Sequence, residues 1–257
     1  MIDQLLLELD GLLSEPPESV RERERSAFDH LLAGRNGRLV LFGAGNLGRK
    51  ALECLRSSGI EPLALADSAA AKWGTRVDGL DVLSPRDAAE TYGASALFVI
   101  TIWSLGHAFA DTRAKLGHLD CPHVVCSSLL RWKFAAQMLP AYCCDLPHKL
   151  YEQADEVRQA ALLWSDEYSR REYVNHLRWR ALGDLGALGA PVTEESYFLD
   201  SLYHVTPGEI FLDCGAYDGD TIRQFVQRSS RIERVLAVEA DPSNYRRLTA
   251  WGGKLGF

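Results

Sequence analysis

Two stretches of this chain set glycines and acids at spacings that suit a phosphorylated or ribosyl ligand. The later one, Glu209-Ile-Phe-Leu-Asp-Cys-Gly-Ala-Tyr-Asp-Gly-Asp-Thr221, joins a short apolar run to a glycine- and aspartate-rich turn. Gly215 and Gly219 have no Cβ, so the backbone can bend there and approach a ligand closely. Arg234-Val-Leu-Ala-Val-Glu239 reads as the next buried strand, and Glu239 at its end is placed to accept hydrogen bonds from ribose hydroxyls. The earlier stretch, Gly43-Ala-Gly-Asn-Leu-Gly48, lies between the apolar run Arg38–Phe42 and a helical pattern carrying Ala51, Leu52 and Leu55. In that context a G-x-G-x-x-G turn offers a pyrophosphate the free N–H groups of a helix start, so Gly43, Gly45, Asn46 and Gly48 form a second candidate nucleotide site. Asp67 closes the following strand, Pro62–Ala66, and completes the site as a ribose acceptor. An aspartate there repels a 2′-phosphate, so NAD is expected over NADP.

Phe211-Leu-Asp-Cys-Gly-Ala-Tyr-Asp-Gly-Asp-Thr221, taken with Ala237-Val-Glu-Ala-Asp-Pro-Ser-Asn244, resembles the opening of an S-adenosylmethionine-dependent methyltransferase of the FkbM type. The resemblance implies that the turn holds the methionine part of S-adenosylmethionine and the acid after the second strand holds its ribose. Carried onto this chain, the cofactor-binding positions are Asp213, Gly215, Ala216, Tyr217, Gly219, Thr221, Glu239 and Asp241. It further implies O-methylation of a sugar or another small polar metabolite. No catalytic base is named, because that base belongs on later strands and loops of the methyltransferase fold. Residues 209–257 hold a strand, a helix, a strand and the helix begun at Pro242, so the domain is expected to be incomplete and this chain weak or inactive as a methyltransferase. Two strands without neighbours would also leave an apolar sheet edge open, through which a homo-oligomer could form. The front half, with its glycine turn, Asp-terminated strand and Gly79-Leu-Asp-Val-Leu-Ser-Pro85, resembles the Rossmann-like domain ahead of some FkbM-type enzymes. It is also similar to the nucleotide-sugar-binding half of certain sugar acyltransferases. The alternative reading is therefore a module that binds NAD or a nucleotide-sugar, with a non-catalytic or oxidoreductase-like role.

Other constellations carry less. Cys121, His123 and Cys126, or Cys143 and Cys144 with His148, lack the tight paired spacing of a zinc site, so buried free thiols and no metal are expected. Cys214 fits its turn by small size. His107, after Ala96–Trp103, lies where α/β folds bind ligands, although a local hydrogen bond is the plainer role. Tyr197-Phe198 precedes the second glycine strand, as an aromatic pair does in FkbM-type enzymes, and is read as the edge of a pocket.

The elements that must position these residues divide the chain into four parts. Residues 1–33 read as two amphipathic helices broken at Pro16-Pro17, and 34–126 as a Rossmann-like parallel α/β domain whose Asp78-Gly79 turn precedes a helix start at Ser84-Pro85. Residues 127–206 form a helical connector in which Tyr168, Val174, Leu177 and Ala181 share a face, and 207–257 are the first βαβ unit of a class I methyltransferase fold. The helical stretch between the two glycine regions favours separate sheets. With 257 residues, 47% hydrophobic and 25% charged, and a formal net charge of −7, the chain is expected to be soluble and to act on a small molecule, with no nucleic-acid partner. Arg21–Arg25 and Arg170-Arg171 alternate with acids or lie in helical stretches, as on a solvated face. The start lacks a basic leader and no run is long enough to span a membrane, so six reduced cysteines in the cytoplasm are expected.

Overall fold

The computed structural model describes residues 4–104, 106–141, 144–191, 197–199 and 202–255, and the chain divides into two compact units, Met1–Pro191 and Val192–Phe257. The first unit opens with α1 (Gln4–Leu12) and α2 (Pro17–Ala33), separated at the prolines. Proline is tolerated at a helix's first turn because that N–H has no intrahelical partner anyway. The α/β layer follows: β1 (Leu39–Phe42), α3 (Asn46–Ser57), β2 (Ala64–Ala66), β3 (Arg76–Val77), β4 (Leu80–Leu83), α4 (Pro85–Tyr92), β5 (Leu97–Ile100), α5 (Phe109–Gly117) and β6 (Val124–Cys126). Among the described residues these strands form one six-stranded sheet in the order β3-β4-β2-β1-β5-β6. All pairings are parallel except the β3–β4 hairpin, which turns at Asp78-Gly79. This is the mostly parallel, Rossmann-like α/β class.

Alternation along the strands sends side chains to two covered faces. Leu39, Leu41, Leu97 and Val99 pack with Phe28 of α2 and with Leu52 and Leu55 of α3. Val40, Phe42, Phe98 and Ile100 pack with Ala88 of α4 and Leu116 of α5. Ser84 caps α4: its Oγ accepts from Asp87 N at 3.1 Å, with Pro85 in the first helical position.

The helical stretch contributes α6 (Ser128–Lys133), α7 (Ala135–Met138), α8 (His148–Glu152), α9 (Ala154–Ala161) and α10 (Glu167–Leu182). These belong to the first unit. Leu9 and Leu13 pack with Ala161, Val174 and Leu177, and Val20 packs with Tyr151 and Ala181. Buried Glu24 of α2 accepts from both His148 N at 2.6 Å and His148 Nδ1 at 2.8 Å. Arg21 of α2 pairs with Glu152 of α8, and Arg171 of α10 with Glu8 of α1, so these arginines knit helices together, while Arg23 pairs with Glu15 in the segment that precedes its own helix. Tyr168 departs from the expected face: it lies in the first turn of α10, exposed, while Val174, Leu177 and Ala181 are buried.

The second unit holds β7 (Glu209–Cys214), α11 (Asp220–Arg228), β8 (Ile232–Val238) and α12 (Pro242–Leu255). Its two parallel strands form their own sheet, with Phe211 opposite Val235 and Leu212 opposite Leu236. Phe211, Val235, Ile222 and Leu248 form its core. Phe198 joins that core between Phe211 and Phe225, with ring centroids 5.9 and 6.1 Å away, while Tyr197 is exposed. Phe198 is thus a packing residue, not the pocket edge expected of it.

Candidate functional site

The two glycine turns are built on one hydrogen-bond plan. In the first unit, Asp67 at the end of β2 accepts from Ala44 N at 2.9 Å and from Ala69 N at 2.8 Å. In the second, Glu239 after β8 accepts from Tyr217 N at 2.7 Å and from Asp241 N at 2.7 Å. Each acid thus holds an amide of the glycine turn with one oxygen and the amide two residues beyond itself with the other. That arrangement follows from βαβ topology, which brings the end of the second strand beside the turn after the first.

The surroundings of the two acids differ. Asp67 is buried, its Oδ2 also accepts from Lys72 Nζ at 2.7 Å, and Trp73 Nε1 donates to its carbonyl at 2.7 Å. Burial opposes its ionisation, but the bonds from Lys72, Ala69 and Ala44 outweigh that and hold the carboxyl below its ordinary range. The group read from sequence as a ribose acceptor is occupied by the protein's own donors. The glycines of this turn answer to packing. A Cβ on Gly48 would stand 1.9 Å from Gly43 O, and one on Gly43, at φ +125°, would stand 2.8 Å from Thr101 O. Thr101 Oγ1 closes the junction by donating to Gly43 O at 3.0 Å. Gly45 caps α3 and Asn46 begins it.

Among the described residues no cation pairs with Glu239, which is partly exposed; the bonds from the Asp241 and Tyr217 amides hold its carboxyl below the ordinary range. Gly215 N and Ala216 N both donate to Val238 O, at 2.8 and 2.9 Å, which pins the turn against β8. Gly219, at φ +89°, leads into α11 and lies against Trp251, where a Cβ would come within 2.9 Å. Thr221 sits in the first turn of that helix, and Tyr217 presents its ring to Arg247 at 5.1 Å. Asp241 is committed to α12: its Oδ1 accepts from Ser243 N at 2.8 Å and Asn244 N at 2.9 Å, so it caps that helix.

Asp213 is the unsatisfied member of the group. Its Oδ2 is buried and has no hydrogen-bond partner among the described residues, and burial together with nearby Asp220 raises its carboxyl above the ordinary range. A buried carboxylate oxygen left unpaired is costly, and such orphans mark places where a ligand group completes the structure.

Elsewhere, His107 Nε2 lies 2.9 Å from Thr112 Oγ1 and the ring lines a cavity of the first unit, so its local bond and its place beside a ligand-sized space are both present. Cys54, Cys121 and Cys126 are buried free thiols and Cys214 is an exposed one, while Cys143 lies outside the described residues. No group of three or more His, Cys, Asp or Glu side chains among the described residues is arranged to hold a metal ion. None of the described helices is long and apolar enough to cross a membrane.

The fold of this chain, mostly parallel and Rossmann-like, has a counterpart among solved structures. The crystal structure of the methyltransferase FkbM from Methylobacillus flagellatus superposes with a TM-score of 0.68 at 18% identity, over 99% of this chain and 68% of that one. A UDP-D-quinovosamine 4-dehydrogenase from Vibrio fischeri aligns at 20% identity over 35% of this chain and 74% of its own, with a TM-score of 0.28, too low to carry an inference. No protein-family model matches the chain, and no curated protein matches it.

Proposed function

We propose that this chain is an S-adenosylmethionine-dependent methyltransferase of the FkbM type, acting on a hydroxyl of a sugar or other small polar metabolite. The observation that carries the reading is Asp213 Oδ2, a buried acceptor without a donor at the head of a glycine turn whose far side is set by Glu239. An α-ammonium group is the donor that would satisfy Asp213, and ribose hydroxyls suit the open side of Glu239. The methionine and ribose parts of S-adenosylmethionine carry both groups. When bound, the cofactor supplies a methyl group already activated on a sulfonium. The protein's task is then to hold the cofactor, align the acceptor and exclude water. Gly215, with open space where a Cβ would stand, lets the turn approach the ligand, with Tyr217 and Thr221 on the same bend, while Gly219 and buried Ala216 shape the turn by packing against the core of this unit. The alternative, an NAD or nucleotide-sugar module on Gly43–Asp67, has less support because Asp67 is buried under Lys72.

Calorimetric titration with S-adenosylhomocysteine tests the proposal. Binding is expected in the unmodified chain, weakened at least about tenfold by Glu239→Ala, since a hydrogen bond to a charged group contributes about 1.5–3 kcal/mol. Asp213→Asn should weaken binding by a similar factor without lowering the melting temperature, because it removes an ionised oxygen that nothing in the protein satisfies. No binding by the unmodified chain, or equal binding by Glu239→Ala, would refute the reading.

A further inference from the structure

The first unit contains a cavity of about 480 Å³ beyond the carboxyl ends of β5 and β6, with α10 and the segment after it on the opposite wall. That volume is in the range of small-molecule sites, and none of residues 43–48 lines it. Its wall is mostly apolar. The Trp103 indole stacks on Trp179 with centroids 6.2 Å apart and planes 25° from parallel.

Of the polar side chains that line the cavity, which include His107, Asp111 and His176, Ser127 and Arg131 are the buried ones. Arg131 is only 6% exposed and Ser127, one helical turn before it, only 7%. Among the described residues neither the Arg131 guanidinium nor Ser127 Oγ makes a hydrogen bond or ion pair, and both line the cavity. Arg131 does lie over the Trp103 ring, 4.9 Å from its centroid. That contact engages the π-face of the indole, whereas the guanidinium carries five N–H donors in its own plane that still need acceptors. Its nitrogens are not sealed inside the protein, so a ligand in the cavity can reach them. An arginine fork beside a hydroxyl is the donor set that receives a carboxylate or phosphate bidentately.

We propose that this cavity binds a small molecule carrying one carboxylate or phosphate on an apolar, planar body, with Arg131 and Ser127 as donors to the anion and Trp103 and Trp179 as the platform for the body. Asp111 on the same wall disfavours ligands of higher negative charge. The site is independent of the methyltransferase reading, because every residue in it belongs to the first unit.

Tryptophan fluorescence titration of the whole chain tests it, since two indoles form the wall. The probes are benzoate, phenyl phosphate, the uncharged benzyl alcohol, and inorganic phosphate, which lacks the planar body. Saturable quenching is expected with benzoate or phenyl phosphate, at least tenfold tighter than with benzyl alcohol or inorganic phosphate; the tighter of the two identifies the head group. Arg131→Met should abolish the preference for the charged probes, while Arg131→Lys should retain it in part. If neither charged probe binds, or benzyl alcohol binds as tightly as benzoate, the assignment is wrong. It is equally wrong if Arg131→Met, melting as the parent does, keeps its benzoate affinity. Should Arg131→Met fail to fold, Ser127→Ala replaces it: a several-fold loss for the charged probes supports the site, and an unchanged affinity overturns it.

Discussion

Asp67 and Glu239 perform one structural task in two settings, and the setting decides what else each can do. Both hold a glycine turn through an amide, but Asp67 is buried with Lys72 on it, whereas Glu239 stays partly open. Burial works against ionisation of Asp67, yet its donors hold the carboxyl below its ordinary range. A depressed folded value means that its stabilisation is fully present above the unfolded aspartate pKa of about 3.9 and is lost as pH falls through the lower, folded value. Asp67→Asn should therefore destabilise the first unit at pH 7 by about 2 kcal/mol, the scale of charge-assisted hydrogen bonds. The deficit should shrink as the solution is taken below about pH 4. Urea melts of both proteins across that range check this, and a deficit independent of pH would mean that the charge is irrelevant.

At the scale of elements, glycine placement is what allows strand, turn and helix to meet. Gly48 lies in the first turn of α3, where its missing side chain lets the helix approach the Gly43 carbonyl. Alanine is the better helix former by about 1 kcal/mol, so propensity alone would make Gly48→Ala stabilising. A Cβ 1.9 Å from a backbone oxygen reverses the sign, because the helix must shift away from β1. Overpacking of this kind costs about 1–3 kcal/mol, and a lower urea midpoint with an unchanged slope is the expected reading. Gly219 is constrained differently, by positive φ and by the Trp251 ring.

Across the molecule, the two sheets are finished to different degrees. The first is covered on both faces by helices. In the second, α11 and α12 cover the face of Phe211 and Val235, while the other face presents Ile210 and Leu212, each 57% exposed, with Leu236 and Val238 beside them. A contiguous apolar patch on a sheet is an association liability. Replacing Leu212 and Leu236 together with lysine should reduce concentration-dependent light scattering several-fold and leave the melting of the first unit unchanged. Equal scattering by the parent and the double variant would remove this face from consideration.

Much of this was written in the sequence, because it depends on neighbours along the chain. The helix break at Pro16-Pro17, the cap at Ser84-Pro85, the turn at Asp78-Gly79 and both βαβ units follow from local periodicity and turn chemistry. The placement of Asp67 and Glu239 beside their glycine turns was legible for the same reason: a βαβ unit brings its second strand end back to its first turn whatever surrounds it. Tertiary structure decided which of these groups are open. Lys72 closes over Asp67, Asp241 turns to cap a helix, Phe198 enters a core, and Asp213 keeps an oxygen without a donor. It also gathered Trp103, Ser127, Arg131 and Trp179 around one cavity from strand ends and helices far apart in the chain. Periodicity can mark each of those residues as apolar-facing or polar, but burial and unmet hydrogen bonding depend on neighbours that only the folded chain supplies.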